Sequence, residues 1–222
     1  MVEQAKILHY ETVTPLLKQV LEKIMAESLF ELFQLVGGTN LSLRFGHRMS
    51  DDIDLFTDAE YNSLDFTVFE AWLKRSFPYY ECNDNTGIVA FGRGYYVGNS
   101  ATDCVKVDLM YTDPFIEETE IIDGIRLASV DDIVAMKMDV ISRGGRKKDF
   151  WDLHLLSTTY SLKDMLNLHS KRYEWGHNQE ELLNGFTDFE IANELPDPKC
   201  CIGKNWDDIK LDLIEIADKA VL

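Results

Sequence analysis

The chain has 222 residues, of which 45% are hydrophobic, and its formal net charge at pH 7 is −17. This length is enough for one substantial domain, or for a core domain with a smaller appended one. Such acidity argues against binding DNA or RNA over the whole surface. No apolar run approaches the ~20 residues that a membrane helix needs, and residues 1–15 lack the apolar centre of a secretory signal. We therefore expect a cytoplasmic protein with no membrane partner.

The cysteines give no sign of a zinc site or of a disulfide framework. They are Cys82, Cys104, Cys200 and Cys201, and no two of them form a C-x-x-C pair. A chain of this size and class does not depend on disulfides. We expect all four to be free thiols.

Helices and strands alternate in the first half of the chain. Thr14 and Pro15 predict the cap and first turn of a helix whose apolar spacing continues to residue 30. Residues 31–36 are predicted to form a strand that stops at Gly37, and residues 39–46 a short helix. Further along, the pattern predicts a strand over 52–57, a helix over 64–77, antiparallel strands over 87–98 and 103–111, and a hairpin over 118–128 that turns at Asp123 and Gly124.

The pattern becomes helical after Ser129. This residue caps a helix that continues towards residue 144, and helices are predicted over 147–160 and 161–173. The acidic tail from residue 174 to 222 is also predicted to be largely helical. The sequence thus predicts an α/β (α+β) fold, with a mixed sheet in a core domain of residues 1–128 and a helical C-terminal region of residues 129–222.

Two carboxylates alternate with apolar residues on the predicted strand over 52–57. Successive side chains on a strand point to opposite faces, so Asp52 and Asp54 share one face while Ile53 and Leu55 face the core. Two strand steps separate their backbones by ~6.6 Å, which lets both carboxylates reach one hard cation such as Mg²⁺. Acidic residues are also common at strand ends, so the pair alone is a weak indication.

Neighbouring residues strengthen the indication of a metal and phosphate site. Gly37, Gly38 and Thr39 stand at a strand-to-helix junction, where glycine lets the backbone approach a ligand and free N–H groups favour an anion. An ordinary tight turn with Thr39 as helix cap is the alternative. Asp108 lies on a later predicted strand, where an uncompensated buried charge would be costly; its alternative is an exposed strand end.

Further charged and polar residues lie near these motifs. Arg48 and Ser50 precede the acids and suit a phosphate or a carboxylate, although a solvated loop arginine is the simpler reading. Lys137 interrupts an otherwise apolar helix, either as a ligand or as a lysine that extends from a packed face to water. Asp149 and Asp152 share one helix face, either as positioning groups or as a surface pair.

Together these residues resemble a known family. The segment "GGTNLSLRFGHRMSDDIDLF", followed by Asp108, resembles the pattern of polymerase-β-type nucleotidyltransferases. It is more closely similar to the AbiEii/AbiGii toxin group, whose first motif has the form R-x-S-x-D-I-D-L-F. A later motif of that group, a helical lysine followed by R-x-K-D-x-x-D, is matched by Lys137, Lys148, Asp149 and Asp152, with Arg143 or Arg146 as the arginine. The resemblance covers residues 30–160 in round numbers.

The resemblance implies a polymerase-β-like core and an enzyme that moves a nucleoside monophosphate from a nucleoside triphosphate (NTP) to a hydroxyl, releasing pyrophosphate. It implies Mg²⁺ or Mn²⁺ held by Asp52, Asp54 and Asp108, with Asp108 also helping to remove the hydroxyl proton. Lys137 and Asp149 would join these acids as catalytic residues. The triphosphate would be bound by Gly37, Gly38, Thr39, Arg48, Ser50 and Lys137.

The partners implied by the resemblance are an acceptor and an antitoxin. The acceptor is RNA such as tRNA, or a protein, and an RNA would have to meet the basic patch from Arg143 to Lys148. The cell-level role would be the toxin of a toxin–antitoxin or phage-defence system. The alternative function is a catalytically weak module of the same fold that binds a nucleotide or a partner. The sequence leaves open which NTP is used.

Overall fold

The computed structural model describes residues 7–82 and 91–221 of the chain. The chain divides into two units, each with its own internal packing. The first unit comprises Met1–Phe45, Ser50–Pro114 and Thr119–Ala128. The second unit comprises Gly46–Met49, Phe115–Glu118 and Ser129–Leu222.

The first unit is built on a mixed sheet. Its strands are β1 (Gln34–Leu35), β2 (Asp52–Thr57), β3 (Tyr79–Cys82), β4 (Gly92–Ser100), β5 (Asp103–Tyr111), β6 (Glu120–Ile122) and β7 (Ile125–Leu127). Their order across the sheet is β3-β4-β5-β2-β1-β7-β6. The pairs β2–β5 and β1–β7 are parallel, and the other neighbours are antiparallel. The predicted mixed sheet is therefore confirmed.

The helices of the first unit are α1 (Pro15–Met25), α2 (Gly37–Phe45) and α3 (Phe66–Ser76), with short 3-10 helices at Tyr10–Thr12 and Ser28–Phe30. Thr14 caps α1, as predicted, because its hydroxyl accepts a hydrogen bond from the N–H of Leu17. The buried face of α1 contributes Leu17, Val20, Leu21 and Ile24 to one core with the inward residues of the strands.

Several sequence predictions for this unit hold, and others needed correction. The strands over 52–57 and 103–111 have the predicted bounds, and the hairpin turns at Asp123 and Gly124, which both have positive φ. The strand expected over 31–36 is only two residues long, because the 3-10 helix at Ser28–Phe30 and the following turn bury Phe30 and Phe33 instead. The short helix begins at Gly37 and not at residue 39, and strand β3 was missed. Residues 87–90 of the strand expected over 87–98 lie outside the described residues.

The second unit is helical, as predicted. Its helices are α4 (Val130–Ser142), α5 (Lys147–Leu156), α6 (Leu162–Arg172), α7 (Gln179–Phe186), α8 (Glu190–Asn193) and α9 (Trp206–Val221). Ser129 caps α4 by accepting from the N–H of Asp132. The buried Asp132 carboxylate accepts in turn from the main-chain N–H of Ile116 at 2.8 Å and from Arg172 at 2.6 Å. Within the described part of the chain, no helix combines the length and apolar character needed to cross a membrane.

One buried side chain ties α2 to strand β1 and to the residue that follows β7. The amide of Asn40 donates to the carbonyl of Leu35 at 2.8 Å and to that of Ala128 at 3.0 Å, and its oxygen accepts from Arg44 at 2.8 Å. Asn40 is fully buried. These bonds set where α2 begins relative to the sheet.

Replacing Asn40 tests this anchor. We expect Asn40→Ala to lower the free energy of unfolding by about 1–3 kcal/mol, since it removes buried hydrogen bonds. Urea denaturation measures the change. The control is Asn99→Ala, because Asn99 is exposed and surface substitutions usually stay within about 0.5 kcal/mol. Equal losses for the two variants would contradict the anchoring role.

Candidate functional site

Four polar side chains form a square on one face of the pair β2–β5. In the parallel register Asp52 lies opposite Lys106, and Asp54 lies opposite Asp108. Alternate residues of both strands are buried, and these four are only partly buried. Neighbouring strands lie about 4.8 Å apart, so carboxylates on adjacent strands can reach a common ligand. We call these four residues the polar square.

Lys106 is the positive corner of the polar square. Its Nζ lies 2.5 Å from Oδ2 of Asp108. Burial alone would lower the pKa of the Lys106 ammonium, but the hydrogen bond and charge of Asp108, with the charges of Asp54 and Asp52, outweigh it and raise this pKa. The lysine therefore stays charged among the three acids.

The glycine turn, which consists of Gly37 and Gly38 at the start of α2, lies directly against Asp54 of the polar square. Gly37 has φ of +68°, a conformation that favours glycine, and it starts α2. A Cβ on Gly37 would lie 2.6 Å from Oδ2 of Asp54. The N–H of Val36 also donates to the carbonyl of Asp54 at 2.9 Å. The start of α2, where free N–H groups favour anions, thus faces the acids of β2.

Thr39 and Ser50 hold α2 beside β2. Thr39 Oγ1 lies 2.8 Å from Oγ of Ser50 and also donates to the main-chain carbonyl of Asp52. Both side chains are buried. Their hydroxyls therefore brace the junction between the glycine turn and the acidic strand.

The donor chemistry of the polar square suits a hard divalent cation. Carboxylate oxygens are the ligands that Mg²⁺ prefers, together with water and substrate phosphates. Among the described residues, no three acidic, imidazole or thiol side chains converge closely enough to hold a metal ion as the chain stands. The Asp108 carboxylate is paired with Lys106 instead.

A second group of charges lies within the second unit and is deeply buried. The Asp152 carboxylate pairs with Arg48 through two hydrogen bonds of 2.7 and 2.8 Å and with Nε2 of His47 at 2.7 Å. Lys137 Nζ lies 2.6 Å from Asp152 and 2.7 Å from Asp149. We call these five residues the buried network.

The charges of the buried network stabilise one another. Burial opposes ionisation of Asp152, but the charges of Arg48 and Lys137 hold its pKa well below the usual range. Burial likewise opposes the Lys137 charge, and Asp149 and Asp152 together raise the pKa of that ammonium. All five side chains are nearly inaccessible to water. The guanidinium of Arg48 is thus engaged by Asp152 within this unit.

The basic patch from Arg143 to Lys148 is largely neutralised inside the second unit. Arg143 pairs with Asp139, Arg146 lies 3.5 Å from Asp149, and Lys147 lies 2.8 Å from Asp197. The Arg143 and Arg146 side chains are nevertheless exposed. The patch presents less net charge than the sequence suggests.

Sequence reasoning missed three residues that organise these groups. The sequence could have indicated Lys106, because this residue stands two positions before Asp108 and therefore lies on the same strand face. The position of His47 beside Arg48 is a weaker indication. No sequence pattern indicates Asn40, because the tertiary fold determines its partners Leu35 and Ala128.

The fold is similar to those of three solved structures, one of which is a nucleotidyltransferase toxin. The crystal structure of JHP933 from Helicobacter pylori is similar with a TM-score of 0.53 and 19% identity, over 90% of this chain and 89% of that chain. The crystal structure of a putative nucleotidyltransferase from H. pylori is similar with a TM-score of 0.52 and 20% identity, over 90% of this chain and 92% of that chain. MenT4, a nucleotidyltransferase toxin from Mycobacterium tuberculosis H37Rv, is similar with a TM-score of 0.54 and 12% identity, over 90% of this chain and 83% of that chain.

The sequence comparison then specifies the family. The family described as nucleotidyl transferase AbiEii toxin, of type IV toxin–antitoxin systems, matches residues 19–219. The uncharacterized protein aq_aa25 of Aquifex aeolicus (strain VF5) is 32% identical over 163 residues, which cover 70% of this chain and 73% of that protein. This chain belongs to the AbiEii nucleotidyltransferase toxin family, and the resemblance inferred from its motifs is confirmed.

Gly37→Ala tests the contact between the glycine turn and the acids. Both Gly37→Ala and the control Gly124→Ala place a side chain at positive φ, and each should lose about 1–2 kcal/mol of stability. A Cβ on Gly124 meets nothing within 4 Å, whereas one on Gly37 displaces the Asp54 carboxylate. We expect only Gly37→Ala to weaken Mg²⁺ binding, at least tenfold by titration calorimetry. Equal Mg²⁺ affinity in the two variants would argue that the turn does not shape the site.

Asp152→Asn tests the buried network. Removing one partner of a buried ion pair typically costs about 3–5 kcal/mol, and we expect this loss in urea denaturation at pH 7. The exposed control Asp207→Asn should change stability by less than about 0.5 kcal/mol.

The pH dependence of the same variant gives a second test. The pKa of Asp152 is lower in the folded chain than its unfolded value of about 3.9. Its stabilisation is therefore complete above that value and is lost as pH falls through the folded pKa. Wild-type stability should fall more steeply than that of Asp152→Asn as pH drops below about 4. Parallel curves of stability against pH for the two proteins would show that Asp152 does not contribute to acid unfolding.

Proposed function

We propose that this chain is a Mg²⁺-dependent nucleotidyltransferase that moves a nucleoside monophosphate from an NTP to a hydroxyl of an acceptor, releasing pyrophosphate. One observation carries the proposal. Asp54 and Asp108 lie opposite each other on adjacent parallel strands, and the backbone of Gly37 lies against Asp54. A carboxylate pair beside a helix start joins the two needs of this reaction, a metal site and a phosphate site.

The acids of the polar square would hold the metal. Asp52, Asp54 and Asp108 would bind Mg²⁺ or Mn²⁺, and bound divalent ions would neutralise charge on the entering and leaving oxygens. Asp108 would also accept the proton of the attacking hydroxyl. For this role the Asp108 carboxylate has to separate from Lys106.

The start of α2 would bind the β- and γ-phosphates. Gly37 and Gly38 can present main-chain N–H groups without a side chain in the way. We assign Thr39 a main-chain contact as well, because its hydroxyl is bonded to β2. Ser50 would act through Thr39, to which it is hydrogen-bonded.

The remaining residues that the family motifs implicate lie in the buried network. We propose Lys137 as a triphosphate ligand, because its ammonium remains charged despite burial. Asp149 would orient Lys137 through their 2.7 Å hydrogen bond. We propose that Arg48 acts as a positioning residue through Asp152, since Asp152 takes two of its guanidinium nitrogens.

The family and the charge of the chain support our proposals for the acceptor and for the cell-level role. We propose an acceptor hydroxyl on RNA such as tRNA, or on a protein, in the cytoplasm. A net charge of −17 favours local over extended contact with RNA, and the exposed Arg143 and Arg146 would make that contact. We propose that the activity is toxic and is opposed by a cognate antitoxin.

A second candidate is a nucleotide-binding module with little catalysis. The observation that favours it is the pairing of Lys106 with Asp108, which already neutralises one acid of the square. Turnover distinguishes this candidate from an enzyme.

Transfer of label from each of the four α-labelled NTPs tests the enzyme. We expect wild type with Mg²⁺ or Mn²⁺ and total RNA, or with protein alone, to label an acceptor. Asp54→Asn should reduce the rate at least a hundredfold, because it removes a charge from the metal site. Asp51→Asn, which changes an exposed neighbour of the same type, should stay within twofold of wild type. Nucleotide binding without labelling of any acceptor would favour the binding module.

A further inference from the structure

We infer that Lys106 is a built-in counter-ion of the polar square, which holds the acids together before metal binds and weakens the affinity of the site for divalent cations. This inference rests on the proposed function, because it concerns the same acids. It assigns Lys106 a positioning role that the family motifs do not include.

The position of Lys106 supports this role. It occupies the corner opposite Asp52, and its Nζ reaches Asp108 at 2.5 Å along the same strand face. The Lys106 side chain is 32% exposed, and that of Asp108 is 14% exposed. The ammonium of a lysine that only extended to solvent would point away from the acids, whereas the ammonium of Lys106 points towards Asp108.

The positive charge of Lys106 gives the physical reason. Its ammonium lies at the Asp108 carboxylate, and the same charge repels a divalent cation at that carboxylate. The lysine therefore stabilises this acid without metal and competes with a metal ion for it.

Lys106 can move when metal binds. Its ammonium sits on a flexible four-carbon stem, and its partial exposure leaves a path towards solvent. A divalent ion near Asp108 would repel it, since like charges a few ångströms apart interact strongly in a partly buried site.

The test compares divalent-ion affinity in three variants without nucleotide. Mn²⁺ and Mg²⁺ are titrated by calorimetry at low ionic strength into wild type, Lys106→Met and Lys106→Arg. We expect Lys106→Met to bind Mn²⁺ at least tenfold more tightly than wild type, because a repelling charge is removed. Lys106→Arg keeps the charge and should stay within about threefold of wild type. Lys18→Met, which removes a lysine charge from α1, should leave the affinity unchanged.

Thermal stability gives a readout without metal. In EDTA at low salt, Lys106→Met should melt at a lower temperature than Lys18→Met, since the Asp108 carboxylate then loses its ion pair with Lys106. Added salt should narrow that gap by screening, and Mn²⁺ should close it. Unchanged or weaker Mn²⁺ affinity of Lys106→Met would overturn the inference, and so would an unchanged melting temperature of this variant in EDTA.

The outcome is separable from that of the proposed function. If wild type transfers nucleotide but Lys106→Met binds Mn²⁺ no more tightly, the counter-ion role is wrong and the enzyme stands. If no acceptor is ever labelled but Lys106→Met gains Mn²⁺ affinity, the counter-ion role stands and the enzyme proposal fails.

Discussion

The parallel pairing of β2 with β5 is the constraint on which the candidate site depends. It places Asp54 opposite Asp108 and Asp52 opposite Lys106, although the two strands are far apart along the chain. Like charges directly opposite each other on a sheet oppose folding. The pairing is tolerated because Lys106 lies among the acids and because the start of α2 faces Asp54. Such crowding of carboxylates supports the proposed site for a divalent cation.

The two units contain charge systems of different kinds. In the buried network, the Asp152 carboxylate contacts Arg48, His47 and Lys137, and these side chains are almost inaccessible to water. Such a network is costly to break but adds little stability compared with apolar packing. The polar square is only partly buried. Carboxylates that solvent can reach are open to a divalent cation, which supports our proposal of a metal site there.

The sequence predicted the parts of this fold that local patterns determine. Alternation defined β2 and β5, the Asp123-Gly124 turn defined the hairpin, and Ser129 marked the start of α4. Strand β1 was overestimated because Phe30 and Phe33 are buried by turns and not by a strand. Motifs also predicted which acids would form the candidate site, and the sheet places two of them, Asp54 and Asp108, opposite each other. They did not predict the ion pairs of Asp152 with Arg48 and of Asp108 with Lys106, because tertiary packing alone determines these partners.

We propose that the acids of β2 and β5 form one metal site, and that Lys106 moves away from Asp108 when the divalent ion binds. A crystal structure with Mn²⁺ and a non-hydrolysable NTP analogue, with anomalous scattering measured at the manganese edge, tests this proposal. We expect anomalous density between Asp54 and Asp108, triphosphate oxygens at Gly37 and Gly38, and Lys106 turned away from Asp108. Manganese bound elsewhere, with the Lys106–Asp108 pair intact and analogue present, would contradict it.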